Sequence, residues 1–352
     1  MYFCNMFENK NSRTELNQLG EFGLIQYIKD NVTLSQPGSL TGIGDDAAVI
    51  DNGPGRTVIT TDMLLEGVHF DLAYCPLKHL GYKSVVVNVS DLCAMNATPR
   101  QIVIGLGLSN RFSLDAIEEF YAGVLLACER YGVDLVGGDT TSSKSGMVIS
   151  ITAIGSAPEE DLVYRNGAKE NDLICVTGDL GAAYMGLTVL QREKQVFLNA
   201  PDASIKLEGD DYIIGRQLKP EARKDVVEYF AAQNIMPTSM MDISDGLSSE
   251  LMHICKQSNV GCVIYEDKLP LNEESKAFAY KLELDPTACA LSGGEDYELL
   301  FTVAQADYEK INANNGLSII GYVTGKNEGQ HIITRGGNKH ALVAQGWNHL
   351  NK

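Results

Sequence analysis

Acidic residues in this sequence recur beside glycines and hydroxyls in five short clusters. They are Gly44-Asp45-Asp46, Thr60-Thr61-Asp62, Asn88-Val89-Ser90-Asp91, Gly137-Gly138-Asp139-Thr140-Thr141 and Asp242-Ile243-Ser244-Asp245-Gly246. Glycine lets a backbone approach closely and take positive φ, while aspartate offers a short, rigid oxygen ligand. Several such carboxylates gathered in one place repel one another unless a cation sits among them. Hard divalent cations that prefer oxygen, Mg²⁺ above all, suit that set and also bridge carboxylates to substrate phosphates. Taken singly, each cluster reads equally well as a turn or a helix cap. Five together point to phosphate chemistry run through metal ions.

No GxxxxGK[ST] loop and no protein-kinase motif set occurs in the chain. A nucleotide would then rest on metal ions and backbone amides. The DISDGLSSEL segment offers such a cradle, with Ser244 or Asp245 placed to cap a helix whose first N–H groups face outward.

The elements that must position these residues alternate between strand and helix. TVITTD (57–62), QIVIGLGL (101–108) and MVISITAIG (147–155) read as strands, and VDLVGGD as a short strand ending in glycines. Ser113–Tyr131 reads as an amphipathic helix with Ser113 as its N-cap, and Glu21–Asp30 as a shorter one. The stretch Leu77–Met95 is open: SVVVNV is β-branched, yet the surrounding apolar run also suits a buried helix. Beyond a polar, proline-containing break near residue 158, DLICVTG is a strand, followed by a helix from about Ala182. Residues 191–219 read as polar and irregular, with a loop or short helices, and Ala222–Gln233 as a helix. SMMDISDGLSSELMHICKQ runs from strand into helix, and GCVIYED, ELLFTV and LSIIGYV are strands.

With 352 residues the chain has room for two domains with cores of their own. Its Lys+Arg count of 28 against 46 Asp+Glu gives a net charge of -18, which disfavours a nucleic-acid or anionic-membrane surface. No run approaches the length of a membrane span, and the N-terminal residues do not resemble a secretory signal. Eight cysteines without a CxxC pair read as free thiols of a cytoplasmic protein.

From about Gly20 onward the chain resembles the thiamine-monophosphate kinases. They belong to a superfamily with aminoimidazole ribonucleotide synthetase, selenophosphate synthetase and a hydrogenase-maturation protein. The resemblance is carried, in order, by GEFGLI, GIGDDAAVI, TTDMLLEGVHF, NVSDLCAMNATP, LVGGDTT, RNGAK, VTGDLG, DISDGL and SGGEDYELLF. It implies an α/β chain of α+β type: an N-terminal extension (1–19), a domain over 20–158 whose sheet pairs across a homodimer, and a second domain over 159–352. It also implies that Leu77–Met95 is helical. By the same resemblance Asp46, Thr60, Thr61, Asp62, Asp91, Asp139, Asp242 and Asp245 would hold magnesium, with Asp91, Asp139 and Asp242 central to catalysis. Gly138, Asp139, Arg165 and Ser244 would contact ATP, and His69, Glu295 and Trp347 the acceptor. The implied reaction moves the γ-phosphate of ATP directly onto thiamine monophosphate. The rivals are a superfamily cyclase that activates an amide oxygen as an iminophosphate, and a nucleotide-binding protein without turnover.

Overall fold

The structure is a computed structural model, and it describes residues 39–41, 44–51, 55–109, 111–200 and 210–344. The N-terminal extension, the expected helix Glu21–Asp30 and Trp347 lie outside the described residues. The first layer is a six-stranded sheet made of β1 (Ser39–Thr41), β2 (Ala48–Ile50), β3 (Arg56–Leu65), β4 (Thr98–Leu108), β5 (Asp134–Ser142) and β6 (Val148–Ala157). The strands stand in the order β1-β2-β3-β6-β4-β5. Burial alternates along β6, which gives the sheet one covered and one open face. Its covered face packs on α1 (Leu77–Ala94), which in turn packs on α2 (Leu114–Tyr131). Ser113 caps α2 as expected, its hydroxyl accepting from Ala116 N at 3.3 Å.

Leu77–Met95 thus resolves as helix. Its β-branched residues are tolerated because α1 is enclosed on nearly every side, by the first sheet, by α2 and by the second sheet. A helix buried all round shows no polar face, so periodicity could not reveal it. Two glycines set its distance from α2. A Cβ on Gly81 would stand 1.9 Å from Phe120 O, and one on Gly123 would stand 1.8 Å from Lys78 O. Helix propensity favours alanine over glycine by about 1 kcal/mol, but a backbone clash of this depth outweighs it. Gly123→Ala is expected to destabilise by roughly 2–4 kcal/mol. Thermal denaturation checks this, and an unchanged midpoint would refute the close crossing.

The second sheet has seven strands: β7 (Leu173–Thr177), β8 (Ser239–Ile243), β9 (Gly261–Tyr265), β10 (Glu298–Val303), β11 (Leu317–Thr324), β12 (Gln330–Ile333) and β13 (Lys339–Ala341). Their order is β13-β12-β9-β11-β7-β10-β8. Around it lie α3 (Ala182–Asn199), α4 (Asp211–Leu218), α5 (Lys224–Gln233), α6 (Leu247–Ser258), α7 (Glu273–Lys281), α8 (Pro286–Ser292) and α9 (Tyr308–Asn312). Where residues 191–219 are described they are mainly helical: α3 runs on to Asn199 and the short helix α4 follows. β5 likewise does not stop at its glycines but passes through Gly137 and Gly138 to Ser142.

The largest apolar cluster does not respect the two sheets. It joins Val85, Val89 and Ile151 of the first layer to Phe230, Met240, Leu299 and Phe301 of the second. Phe230 and Phe301 meet edge to face at 5.0 Å between centroids.

Candidate active site

Helix α1 is the spine of the site because two of its stripes carry polar groups. Asn88 and Asp91, three residues apart, face β3, whereas Lys83 and Ser90, seven apart, face the second sheet. Asn88 Oδ1 accepts from Asp62 N at 3.1 Å, and Thr60 Oγ1 donates to Asp91 Oδ2 at 2.5 Å. Ser90 Oγ donates to Asp242 Oδ2 at 2.8 Å, tying α1 to β8. Asp46 arrives from the segment before β2, so three parts of the chain deliver three acids. One carboxylate oxygen from each of Asp46, Asp91 and Asp242 lies within 4.8 Å of the other two.

The electrostatics are those of an anion cluster held together by the fold. Burial, then the charge of Asp46, pushes the Asp62 carboxyl up to about 6 and that of Asp242 up to about 7. Burial pushes Asp91 well up too, with Asp62, Asp242 and Asp46 adding to it. The counter-charge present is Arg165. Its guanidinium pairs with Asp46 Oδ1, and its backbone N–H donates to both oxygens of Asp45 at 3.3 Å. Asp45 thereby anchors Arg165, and its own carboxyl is pushed up to about 6 by burial and by Asp46. Asp46 Oδ2 is buried without a partner. Three clustered carboxylates, one of them with a buried oxygen left unpartnered, are a donor set that a hard divalent cation takes, so the residues fit magnesium.

Other expected residues fall where the strand alternation sends them. Thr60 and Asp62 point into the helix layer, but Thr61 leaves by the opposite face, where its hydroxyl donates to Ile151 O at 3.0 Å. The Thr61 side chain is thus not among the groups that face the acid cluster. Asp139 is also displaced. The register Asp62↔Ile151↔Ile104↔Gly138 puts Gly138 three strands from Asp62, about 14 Å at the usual strand spacing. Asp139 then points to the open face, so it does not join the acid cluster of its own chain. With Gly138, Val136 and Tyr121 it lines a separate groove of about 530 Å³ on the sheet edge.

Asp245 and Ser244 lie between β8 and α6, next to the cluster. The N-cap of α6 is Gly246, at φ 114, and neither of the two residues expected to cap it. Asp245 N instead donates to Glu250 Oε1 at 2.9 Å. His69 occupies the turn after β3, its Nδ1 accepting from Leu65 N at 3.0 Å. Glu295 stands in a segment where Gly294, Glu295 and Tyr297 all have positive φ. Its carboxylate accepts from Tyr297 OH and Gln217 Nε2, each at 3.3 Å, and pairs with Lys83. Lys83 and Gln217 escaped the sequence reading, while Asn88, Ser90 and Tyr297 entered it only as neighbours of the acids, with no role of their own. The lysine inside the apolar run LGYKSVVV was the signal available for the first of them.

No helix among the described residues is long and apolar enough to cross a membrane. Residues 44–157 match the family model of the AIR synthase related protein N-terminal domain, and residues 169–334 that of its C-terminal domain. The chain is 36% identical over 335 residues to a thiamine-monophosphate kinase of Aquifex aeolicus, covering 95% of this chain and 99% of that protein. It is 32% identical over 338 residues to one of Bacillus subtilis, covering 94% and 100%. A solved structure described as AaThiL complexed with AMPPCP and TMP superimposes with a TM-score of 0.80. The two are 34% identical, over 96% of this chain and 99% of that one.

Proposed function

The chain belongs to the thiamine-monophosphate kinases of the AIR synthase related family, and from that premise we propose that it makes thiamine diphosphate from ATP and thiamine monophosphate. The observation that carries the reading is the group of Asp46, Asp91 and Asp242, with one buried oxygen left unpartnered, at the seam between the two sheets.

The acceptor is already a phosphate anion, so no strong base is required of the protein. An acceptor phosphate oxygen forms a bond to the γ-phosphorus as the bond from that phosphorus to the bridging oxygen breaks, releasing ADP. Bound magnesium would supply the positive charge that lets two phosphate groups approach. Asp46, Asp91 and Asp242 would hold it, with Asp62 and Asp245 beside them. Thr60 and Ser90 fix the carboxylates they bond, so the donors are oriented before substrate arrives. Arg165 and Ser244 would meet the nucleotide, Arg165 turning from Asp46 to the phosphates. Glu295 and His69 would receive the acceptor, whose ring is cationic, with Trp347 stacking on it.

Gly138 and Asp139 fit this scheme through a homodimer. Val136 on β5 is 57% exposed and Leu125 on α2 56%, so an apolar surface borders their groove. A second copy of the chain covering the open face would bring that groove under a partner. We read residues 20–158 and 159–352 as the two domains, and the cytoplasm as the compartment. The seven described cysteines, all free and buried, support that compartment.

Purified protein given ATP, Mg²⁺ and thiamine monophosphate is expected to yield thiamine diphosphate and ADP in equal amounts. ADP with inorganic phosphate and no thiamine diphosphate would overturn the reading.

A further inference from the structure

Lys83 is an uncommon residue for its position. It lies in the middle of α1 with 7% of its side chain exposed, among valines and other apolar groups. An ammonium there is costly unless it is paired and hydrogen-bonded. Lys83 Nζ donates to Gln217 O at 2.9 Å and pairs with Glu295 Oε2. The contact joins the first layer to the second.

The pair is lopsided. The lysine is sealed, while 31% of the Glu295 side chain stays open. A ligand approaching this pair from solvent therefore meets the carboxylate before the ammonium. Every other contact of Glu295 also fixes it. Its backbone N–H donates to Ser244 O at 2.7 Å, its φ of 63 is one that side-chain-bearing residues seldom adopt, and Gln217 and Tyr297 each bond one of its oxygens. Tyr297 is buried beside the acid cluster, its phenol pushed up by burial and then by Glu295, Asp62 and Asp242. Glu295 and the acid cluster thus border the same tyrosine, which feels the charge of both. Burial by itself would push the Glu295 carboxyl up, but Lys83 holds it below the usual range, which keeps it an anion.

We propose that Lys83 is a positioning residue for the acceptor, fixing the Glu295 carboxylate as the anion that meets the acceptor's cationic ring. This rests on the reading of Glu295 as an acceptor contact. Lys83 itself touches no substrate. Its role is to hold the carboxylate charged and aimed from behind, through a link between the layers that the helix spine makes rigid.

The test compares Lys83→Met, Glu295→Gln and the double variant in steady-state kinetics with ATP, Mg²⁺ and thiamine monophosphate. Lys83→Met is expected to raise the acceptor KM about tenfold while the ATP KM stays within about twofold. The double variant is expected to match Glu295→Gln, because removing the lysine matters only while there is a charge to hold. A further rise of the acceptor KM in the double variant overturns the proposal, and that comparison holds even if Lys83→Met alone does not fold. A raised KM in Glu295→Gln with Lys83→Met at wild-type values overturns it as well. An unchanged acceptor KM in Glu295→Gln overturns the acceptor reading of Glu295 itself, and the proposal with it.

Discussion

Asp91→Asn and Asp242→Asn are each expected to lower kcat by about 10²-fold or more, while the metal-free protein becomes no less stable. The two effects have one origin. Each substitution keeps the shape of the side chain and its hydrogen bond from Thr60 or Ser90, but removes one negative charge from the cluster. In transfer that charge is needed to hold the cation. Without the cation it is a repulsion, set against Asp46 and Asp62 in a buried place. A residue that only packed would behave in the opposite way, losing stability and keeping kcat in the fraction that folds. Near-normal kcat in both variants with unchanged circular dichroism would show that these acids are structural.

Excess chelator is expected to abolish turnover and to leave a protein that loses stability as pH rises. The sign follows from proton linkage. Unfolded aspartates titrate near about 3.9, whereas Asp45 and Asp62 in the fold are pushed up to about 6 and Asp242 to about 7. Across that window the native state binds more protons than the unfolded one, so stability is lost as the pH climbs through it. Millimolar Mg²⁺ should restore the loss near about pH 8, because a cation bound only by the folded chain stabilises it. Thermal midpoints in EDTA at about pH 5.5 and about pH 8, with Asp242→Asn as reference, measure the effect. Full turnover in EDTA, or a wild-type midpoint that does not fall relative to the variant, would refute the metal-centred site.

How much of this was legible depended on whether a residue's role is local. Asp46, Asp91 and Asp242 stood out because each sits beside glycine or a hydroxyl, and the fold does gather them. Asp139 carried the same local signature, yet it lies on the open face three strands away. No local pattern records which face a strand presents at a given register, and for the same reason it did not show that the Thr61 side chain leaves by the face opposite Thr60 and Asp62. α1 was ambiguous because complete burial erases the polar stripe that marks a helix. The cap of α6 fell on Gly246 because the backbone there needs positive φ, a demand that outranks a side-chain cap. Lys83 and Gln217 matter through partners more than a hundred positions away in one case and about eighty in the other, and a linear reading has no access to that pairing.

The apolar cluster that runs from Val85 to Phe301 has a mechanical consequence. Enzymes that clamp their substrates by swinging one lobe against another need a seam of polar, loosely packed contacts to pivot on. Here an interlocked apolar cluster joins the layers beside their polar contacts, with α1 wedged between the sheets, so jaw-like opening would break that packing. Entry and exit are then expected to rely on short-range movements at the rim more than on the motion of whole lobes.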